Sequence, residues 1–322
     1  MTMDESEFKK NRRDPLLTLP VYDDQRDFFL EDRAKSYNIV NNLENALDHR
    51  EGVSWSITLD KFEYAILEYS AGYSLLECEV FMQNALTELE RHKNQFPHKS
   101  FFYWEPDAFQ FLLWSMSFAV LSGKPEALHT IVRMFGKNPQ DNDDPLLSML
   151  LARLGYIGLP RLDHLAFPKP YQSLYDAIKG DGVSPTKAER QESLTQYLRD
   201  WYKGIKDCYW YNRHKGRFPT FFGYWALETA LVTLLYDLDD SAYSHMLYYP
   251  KDLVDHARAQ GYDQLFPLST ATHHIALPND ESPIDAVWHC NLSDDQVRLK
   301  QGERLPSNRL NEQEEALFWV SE

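Results

Sequence analysis

Apolar residues recur at helical spacing along most of the chain. The first amphipathic stretch runs from about Asp24 to Arg50, and its apolar positions share one helical face: Phe29, Tyr37, Val40, Leu43 and Leu47. Helix-starting and helix-ending residues then divide the sequence and predict helices over Leu59–Ser70, Ser74–Lys93, Pro106 to Gly123, Pro125–Phe135 and Pro145–Leu154.

Two of these helices carry recognisable N-terminal caps. Ser74 and Glu77 have the spacing of a capping box, in which each side chain bonds the backbone N–H of the other residue. Asp144 stands before Pro145 and fits an N-cap, since a proline in the first helical turn needs no backbone donor.

The second half of the chain is predicted to be helical as far as Gly261. The expected helices are Tyr171–Lys179, Pro185–Tyr209 with Ser184 as its cap, Phe218–Tyr236, and Pro250 to Gly261. Beyond Gly261 the periodicity fades. That region is expected to hold a short helix over Asn311–Trp319, and Ile284–Cys290 is long enough only for a brief strand.

These patterns predict an all-α fold with little or no β-structure. The helices are expected to form two helical domains, packed as helical layers or bundles. We assign residues 14–140 to the first domain and 145–261 to the second, with a boundary near Asp141–Pro145. Residues 262–322 are expected to form an irregular extension packed on the fold.

Composition supports a folded chain that stays out of the membrane. Hydrophobic residues make up 43% of the 322 positions, which is enough for a core and excludes general disorder. The three cysteines have no CxxC spacing and suggest neither a disulfide framework nor a zinc site. Glu228 interrupts the apolar run Phe218–Tyr236, and the first residues lack a secretory apolar core, so a cytoplasmic protein is expected.

The formal net charge of −16 narrows the possible partners. Direct binding of nucleic acid is not expected, because contacts to phosphate need a basic surface. A basic protein partner is compatible with this charge, although acidity also serves solubility alone. Whether the chain forms a homodimer stays open.

Few residues suggest chemistry of their own. Glu228 lies in an apolar helix, where a carboxylate is either a catalytic acid or base or, more commonly, is paired inside the fold with an Arg, a Lys or a Tyr hydroxyl. The pairs His273-His274 and His289-Cys290 are poorly placed to share a metal, because neighbouring side chains diverge. Nucleotide-binding and hydrolase-elbow motifs are missing from the sequence. We therefore expect neither a cofactor nor a metal.

Two unusual clusters at a fixed separation suggest a family. Gly223-Tyr224-Trp225 with Glu228, followed by Asp239-Asp240-Ser241 and Tyr249–Val254, resembles the C-terminal domain of the PoNi family of bacterial immunity proteins. A weaker resemblance to the N-terminal domain covers roughly Asp14 to Leu121, mainly at Tyr69–Ser74. The resemblance implies a stoichiometric inhibitor of a basic DNA-degrading PoNe toxin, delivered by a type VI or related secretion system, and not an enzyme.

Candidate site residues follow from the resemblance, the charge and the turn positions. Family residues expected to hold the fold are Gly223, Tyr224, Trp225, Glu228, Tyr249 and Pro250. Residues expected to contact the toxin are exposed acids and one aromatic: Asp141, Asp143, Asp144, Asp237, Asp239, Asp240, Tyr248, Asp252 and Asp255. For the turn that contains Tyr248, a hydrophobic staple at the helix start is the alternative to an interface anchor.

Two other functions remain possible at this stage. An all-α hydrolase would use Glu228 in an accessible cleft together with a histidine and a second polar group. A generic helical adaptor would bind a partner that is not a toxin. The burial of Glu228 separates the first alternative from an immunity protein, and the neighbouring genes separate the second.

Overall fold

The computed structural model describes residues 4–30, 33–136, 144–158, 164–179, 184–216, 219–266, 273–308 and 317–322. The chain divides into two compact units. Unit 1 comprises Met1–Phe96 together with Tyr209–Trp225, and unit 2 comprises Pro97–Cys208 together with Ala226–Glu322. Each unit is thus built from two separate stretches of sequence. The domain limits inferred from the sequence remain a prediction.

Unit 1 is helical in its described part. Its helices are α1 (Glu5–Asn11), α2 (Leu19–Leu30), α3 (Arg33–Asn41), α4 (Leu47–Ala71) and α5 (Leu75–Gln95). The capping box at the start of α5 is confirmed, because Ser74 accepts from the backbone N–H of Glu77 and the Glu77 carboxylate bonds back. Gly72 ends α4 with a φ of 98°.

The first predicted helix, Asp24–Arg50, was wrong in its limits. Helix α2 already ends at Leu30, α3 ends at Asn41, and α4 begins at Leu47 and includes the whole of the predicted Leu59–Ser70 segment. A polar turn separates α3 from α4, in which the Asn42 side chain accepts from the backbone N–H of Glu44. Asparagine makes such local bonds readily, and they compete with a continuous helix.

Unit 2 contains the remaining described helices. They are α6 (Pro106–Leu121), α7 (Ala127–Arg133), α8 (Pro145–Arg153), α9 (Pro168–Ile178), α10 (Lys187–Gly204), α11 (Leu227–Leu235), α12 (Lys251–Ala259) and a 3-10 turn at Tyr262–Gln264. Every residue of α6 from Phe109 to Leu121 is buried, so α6 is a core helix. The predicted cap of α8 is confirmed, since Asp144 accepts from the backbone N–H groups of Leu146 and Leu147.

Unit 2 also contains a five-stranded mixed sheet, so the all-α prediction was wrong. Its strands are β1 (Tyr156–Ile157), β2 (His273–Ala276), β3 (Ala286–Cys290), β4 (Gln296–Leu299) and β5 (Trp319–Ser321), in the order β1-β2-β5-β3-β4. Only β1 and β2 are parallel, and the other pairs are antiparallel. Strands of two to five residues are too short to show a period in the sequence.

The last strand occupies the middle of this sheet. Strand β5 pairs with β2 through Trp319 and Val320, and with β3 through all three of its residues, Trp319 to Ser321. All three residues of β5 are buried, whereas β4, at the sheet edge, alternates exposed and half-buried residues. Trp319 packs with Trp288 in a small apolar cluster of the unit. The short strand expected within Ile284–Cys290 is confirmed as β3.

Three predicted helices differ from the structure. In the described part of Phe218–Tyr236, which begins at residue 219, only α11 is helical, because Gly223 adopts a φ of 126° that ordinary residues avoid. Helix α10 begins at Lys187 with Thr186 as its cap, not Ser184. Trp319, which was expected to end a helix from Asn311, belongs to β5, and residues 311–316 lie outside the described part.

Candidate functional site

Glu228 lies in the first turn of α11, and its side chain is fully enclosed within unit 2. The Tyr197 hydroxyl and the Trp201 Nε1–H both donate to its Oε1, at 2.6 Å and 2.5 Å. Gln110 Nε2 donates to its Oε2 at 3.2 Å. Of the three partners expected from the sequence, an Arg, a Lys or a Tyr hydroxyl, the structure shows the Tyr hydroxyl. We call Glu228, Tyr197, Trp201, Gln110 and Tyr171 the Glu228 cluster.

The Glu228 cluster joins four helices. Tyr171 on α9 donates its hydroxyl to Gln110 Oε1 at 2.8 Å, and Gln110 on α6 donates in turn to Glu228. Tyr197 and Trp201 belong to α10. Burial raises the pKa of Glu228, and the three donors oppose that rise only in part. Such an enclosed, saturated carboxyl positions helices, and it offers no free face to a substrate.

Gly223, Tyr224 and Trp225 lie in unit 1, against the C-terminal end of α4. The Trp225 Nε1–H donates to Ser70 Oγ at 2.9 Å, and Ser70 donates to the carbonyl oxygen of Phe222 at 2.8 Å. A Cβ on Gly223 would lie 1.9 Å from Ser70 Oγ, so this approach requires glycine. We call Ser70, Gly223 and Trp225 the Ser70 lock.

A buried aspartate secures the same segment. Asp14 is almost fully buried, and its Oδ2 accepts from the backbone N–H of Tyr224 at 2.9 Å. The Trp225 ring meets the Tyr69 ring edge to face, with the centroids 4.8 Å apart. The two motifs that carried the resemblance, Tyr69–Ser74 and Gly223–Trp225, therefore contact each other. Sequence reasoning missed this contact, because Trp225 and Ser70 are 155 positions apart.

Asp240, Tyr249 and Pro250 are buried in unit 2. The Tyr249 hydroxyl donates to Asp240 Oδ2 at 2.8 Å, and Arg258 lies 3.7 Å from the same oxygen. Arg258 also donates to the backbone carbonyl of Leu238. Although Asp240 was predicted to contact a toxin, the structure uses its carboxylate to hold the start of α12. Asp144 is buried in the same way, as the cap of α8.

Other predicted contact residues are accessible. The Asp237 side chain is 85% exposed and pairs with Lys187 at 2.8 Å, which lowers the pKa of Asp237. Asp239 is exposed, and bonds from Ser241 lower its pKa. Asp255 is exposed and pairs with Lys251 at 2.6 Å. We call Asp237, Asp239 and Asp255 the exposed acidic group.

The remaining predicted contacts are less accessible or lie outside the described residues. Tyr248 is half-buried, and its ring packs against those of Trp201 and Tyr202, with centroids 5.0 Å and 5.7 Å away. Asp252 is half-buried on α12. Asp141 and Asp143 lie outside the described residues.

The histidines do not form a metal centre in the described part of the chain. His289 contacts His129 edge to face and pairs with Glu322, and the His273 ring bonds the carbonyl of Ser321. Among the described residues, no group of three or more histidines, cysteines and acids is arranged to hold a metal ion. None of the helices in those ranges combines the length and apolar character of a membrane span.

Comparisons with known proteins identify a family and a similar fold. The model of the PoNe immunity proteins (PoNi), C-terminal, matches residues 142–253, and the model of the PoNe immunity protein (PoNi), N-terminal, matches residues 13–133. The structure is similar to that of protein PA2201 from Pseudomonas aeruginosa, with a TM-score of 0.58 and 17% identity over 78% of this chain and 92% of that one. At that identity the likeness supports the fold alone. No curated protein matches the chain.

Proposed function

This chain belongs to the PoNe immunity protein (PoNi) family, and on that premise we propose that it neutralises a cognate PoNe nuclease by covering its active or DNA-binding surface. It acts as a stoichiometric partner and not as an enzyme. The toxin is a basic DNA-degrading effector, delivered between bacteria by a type VI or related secretion system. The immunity protein meets it in the cytoplasm, where the chromosome is exposed to attack.

The exposed acidic group is the observation that supports this mode of binding. Asp237, Asp239 and Asp255 present carboxylates to solvent, whereas the acids of the family motif, Glu228 and Asp240, are enclosed. A nuclease that grips DNA needs a cationic surface for the phosphates. Exposed carboxylates pair with the cationic groups of such a surface in place of the DNA phosphates, and their charge accelerates association.

The lysine partners within this surface do not prevent binding. Lys187 pairs with Asp237, and Lys251 pairs with Asp255, in each case with both side chains largely exposed. Exposed ion pairs contribute little stability, since water and salt screen them. An incoming cation from the toxin therefore displaces either lysine at small cost.

Charge supplies speed and selectivity, and tight binding needs packed contacts as well. Tyr248 is the predicted aromatic contact in unit 2. Its half-buried ring is already held by Trp201 and Tyr202, so little conformational freedom is lost when its open side is covered. We propose Tyr248 as an interface anchor next to the exposed acidic group in the sequence.

The hydrolase alternative finds no support in the surroundings of Glu228. That function requires an accessible carboxylate beside a histidine, whereas Glu228 is fully enclosed and is bonded by a tyrosine, a tryptophan and a glutamine. A generic adaptor would lack a toxin partner, and the family membership favours an immunity protein over it.

The proposal is tested by titrating a PoNe nuclease with the purified chain while DNA cleavage is measured. Cleavage should fall linearly and reach zero at a fixed stoichiometry, and a stable complex should elute from a size-exclusion column. Bacteria that express the nuclease should survive only when the chain is co-expressed. Full nuclease activity in the presence of saturating chain would refute inhibition by binding.

A further inference from the structure

Unit 2 contains a cavity of about 190 Å³ that the acidic surface does not include. It lies between the N-terminal ends of α6 and α9 and the C-terminal end of α10. Its lining includes Ala166, Phe167, Tyr171, Ile205, Cys208 and Asp207. Tyr171 also belongs to the Glu228 cluster, so that cluster fixes one wall of the cavity.

Most of the residues that line this cavity are apolar, and prolines make its backbone stiff. Pro168 and Pro170 fix the backbone at the start of α9 and offer no N–H donors. The end of α10 approaches closely, since a Cβ on Gly204 would lie 3.1 Å from Pro170 Cα. Such walls suit a chain of methylene groups, which needs contact and no hydrogen bonds.

The charge around the cavity is negative on one side. Asp207 is exposed at the rim, three residues after the end of the 18-residue helix α10, whose C-terminal end favours cations. Burial raises the pKa of the Cys208 thiol, and the carboxylates of Asp107, Glu228 and Asp207 raise it further. Lys169 also lines the cavity, but it is exposed in the first turn of α9.

An apolar stem with a cationic head matches both properties. We infer that this cavity receives one lysine or arginine side chain of the PoNe toxin, with its methylene stem against Phe167 and Ile205 and its charge at Asp207. The inference rests on the proposed function, because it takes the partner from that proposal. Lys169 then competes with the incoming cation, and its removal should strengthen binding.

The cavity itself is tested without the toxin. The Ile205 side-chain methyl group is labelled with carbon-13, and its NMR signal is followed while N-acetylarginine methylamide is added. We expect a saturable shift, which Ala166→Phe abolishes by filling the cavity and Lys169→Met strengthens severalfold. An equal response to N-acetylnorleucine methylamide, or no response to the arginine probe, would overturn the inference.

The role in toxin binding is tested with matched variants. Ala166→Phe and Asp207→Asn should each weaken the affinity for a PoNe nuclease that the wild-type chain binds by roughly tenfold or more. The controls Ala34→Phe and Glu90→Gln, both at exposed positions of unit 1, should leave the affinity unchanged. If the nuclease binds all variants equally, the inference fails and the proposed function stands. If wild-type chain binds no PoNe nuclease, the proposed function fails, whatever the probe shows.

Discussion

Glu228 and the exposed acidic group are carboxylates of one unit in opposite surroundings. Glu228 has no exposed surface and accepts from Tyr197, Trp201 and Gln110, whereas the Asp237 side chain is 85% exposed and pairs with a lysine. Only nine positions of sequence separate the two residues. An acidic composition therefore does not identify the acids that can contact a partner, because some of them are buried and stabilise the fold.

Removing the enclosed carboxyl of Glu228 is the most direct test of this comparison. Glu228→Ala should lower the free energy of unfolding by about 3–5 kcal/mol, because three donors lose their acceptor and a cavity remains. Glu228→Gln should cost less, since an amide oxygen still accepts from Tyr197 and Trp201. Urea unfolding measures both. Asp239→Ala, at an exposed position, is the control and should leave the urea midpoint almost unchanged. If Asp239→Ala lost as much stability as Glu228→Ala, the enclosed and exposed carboxylates would not differ in their contribution to the fold.

A buried carboxyl in unit 1 extends the comparison to pH. Burial raises the pKa of Glu68 to about 7, and bonds from Tyr64 and Tyr22 offset only part of the rise. The folded state then holds a proton that the unfolded state has released, so stability falls as pH rises from about 4.5 to about 7. At about 1.4 kcal/mol per unit, Glu68 accounts for about 3 kcal/mol of that fall.

Glu68→Gln removes a carboxyl whose pKa differs between the folded and unfolded states. The free energy of unfolding should therefore depend less on pH. The variant should therefore gain stability relative to the wild type as pH rises through the same window. Urea unfolding at a series of pH values measures the gain, with Glu90→Gln, at an exposed position, as the matched control. Parallel curves for wild type and Glu68→Gln would show that Glu68 does not titrate in this way.

Gly223 in the Ser70 lock and Gly216 outside it separate backbone strain from steric collision. Gly223 and Gly216 have φ values of 126° and 106°, but a Cβ meets Ser70 Oγ only at Gly223, and nothing lies within 4 Å at Gly216. In both alanine variants the positive φ should lower the free energy of unfolding by about 1–3 kcal/mol. Gly223→Ala should cost about 1–3 kcal/mol more, because a packed neighbour must move. Thermal unfolding compares them, and equal losses would mean that the lock adjusts freely.

The smallest expected effect on stability, and the one that tests function, comes from the exposed acidic group. Reversing Asp239 and Asp255 together to lysine should leave the urea midpoint almost unchanged, because both side chains are exposed, and should weaken toxin affinity by roughly tenfold at low salt. The loss should shrink as salt is added, because screening removes the charge term. A loss that is independent of salt, or no loss at all, would remove these residues from the interface.

The sequence by itself determined the local parts of this protein. The Ser74–Glu77 capping box, the Asp144 cap and the pairing of Glu228 inside the fold were all predicted, and the family was identified from short motifs. Caps and amphipathic helices depend on residues within a few positions of each other, and therefore leave a pattern that can be read along the chain.

Only the tertiary structure decided the long-range parts. The sheet brings Trp319 beside Cys290 and Ala276, and strands this short carry no period of their own. Likewise, the sequence predicts an exposed acid at Asp240, whereas the structure places Tyr249 and Arg258 around its carboxylate. Burial and strand pairing depend on which distant segments meet, and spacing along one sequence does not contain that information.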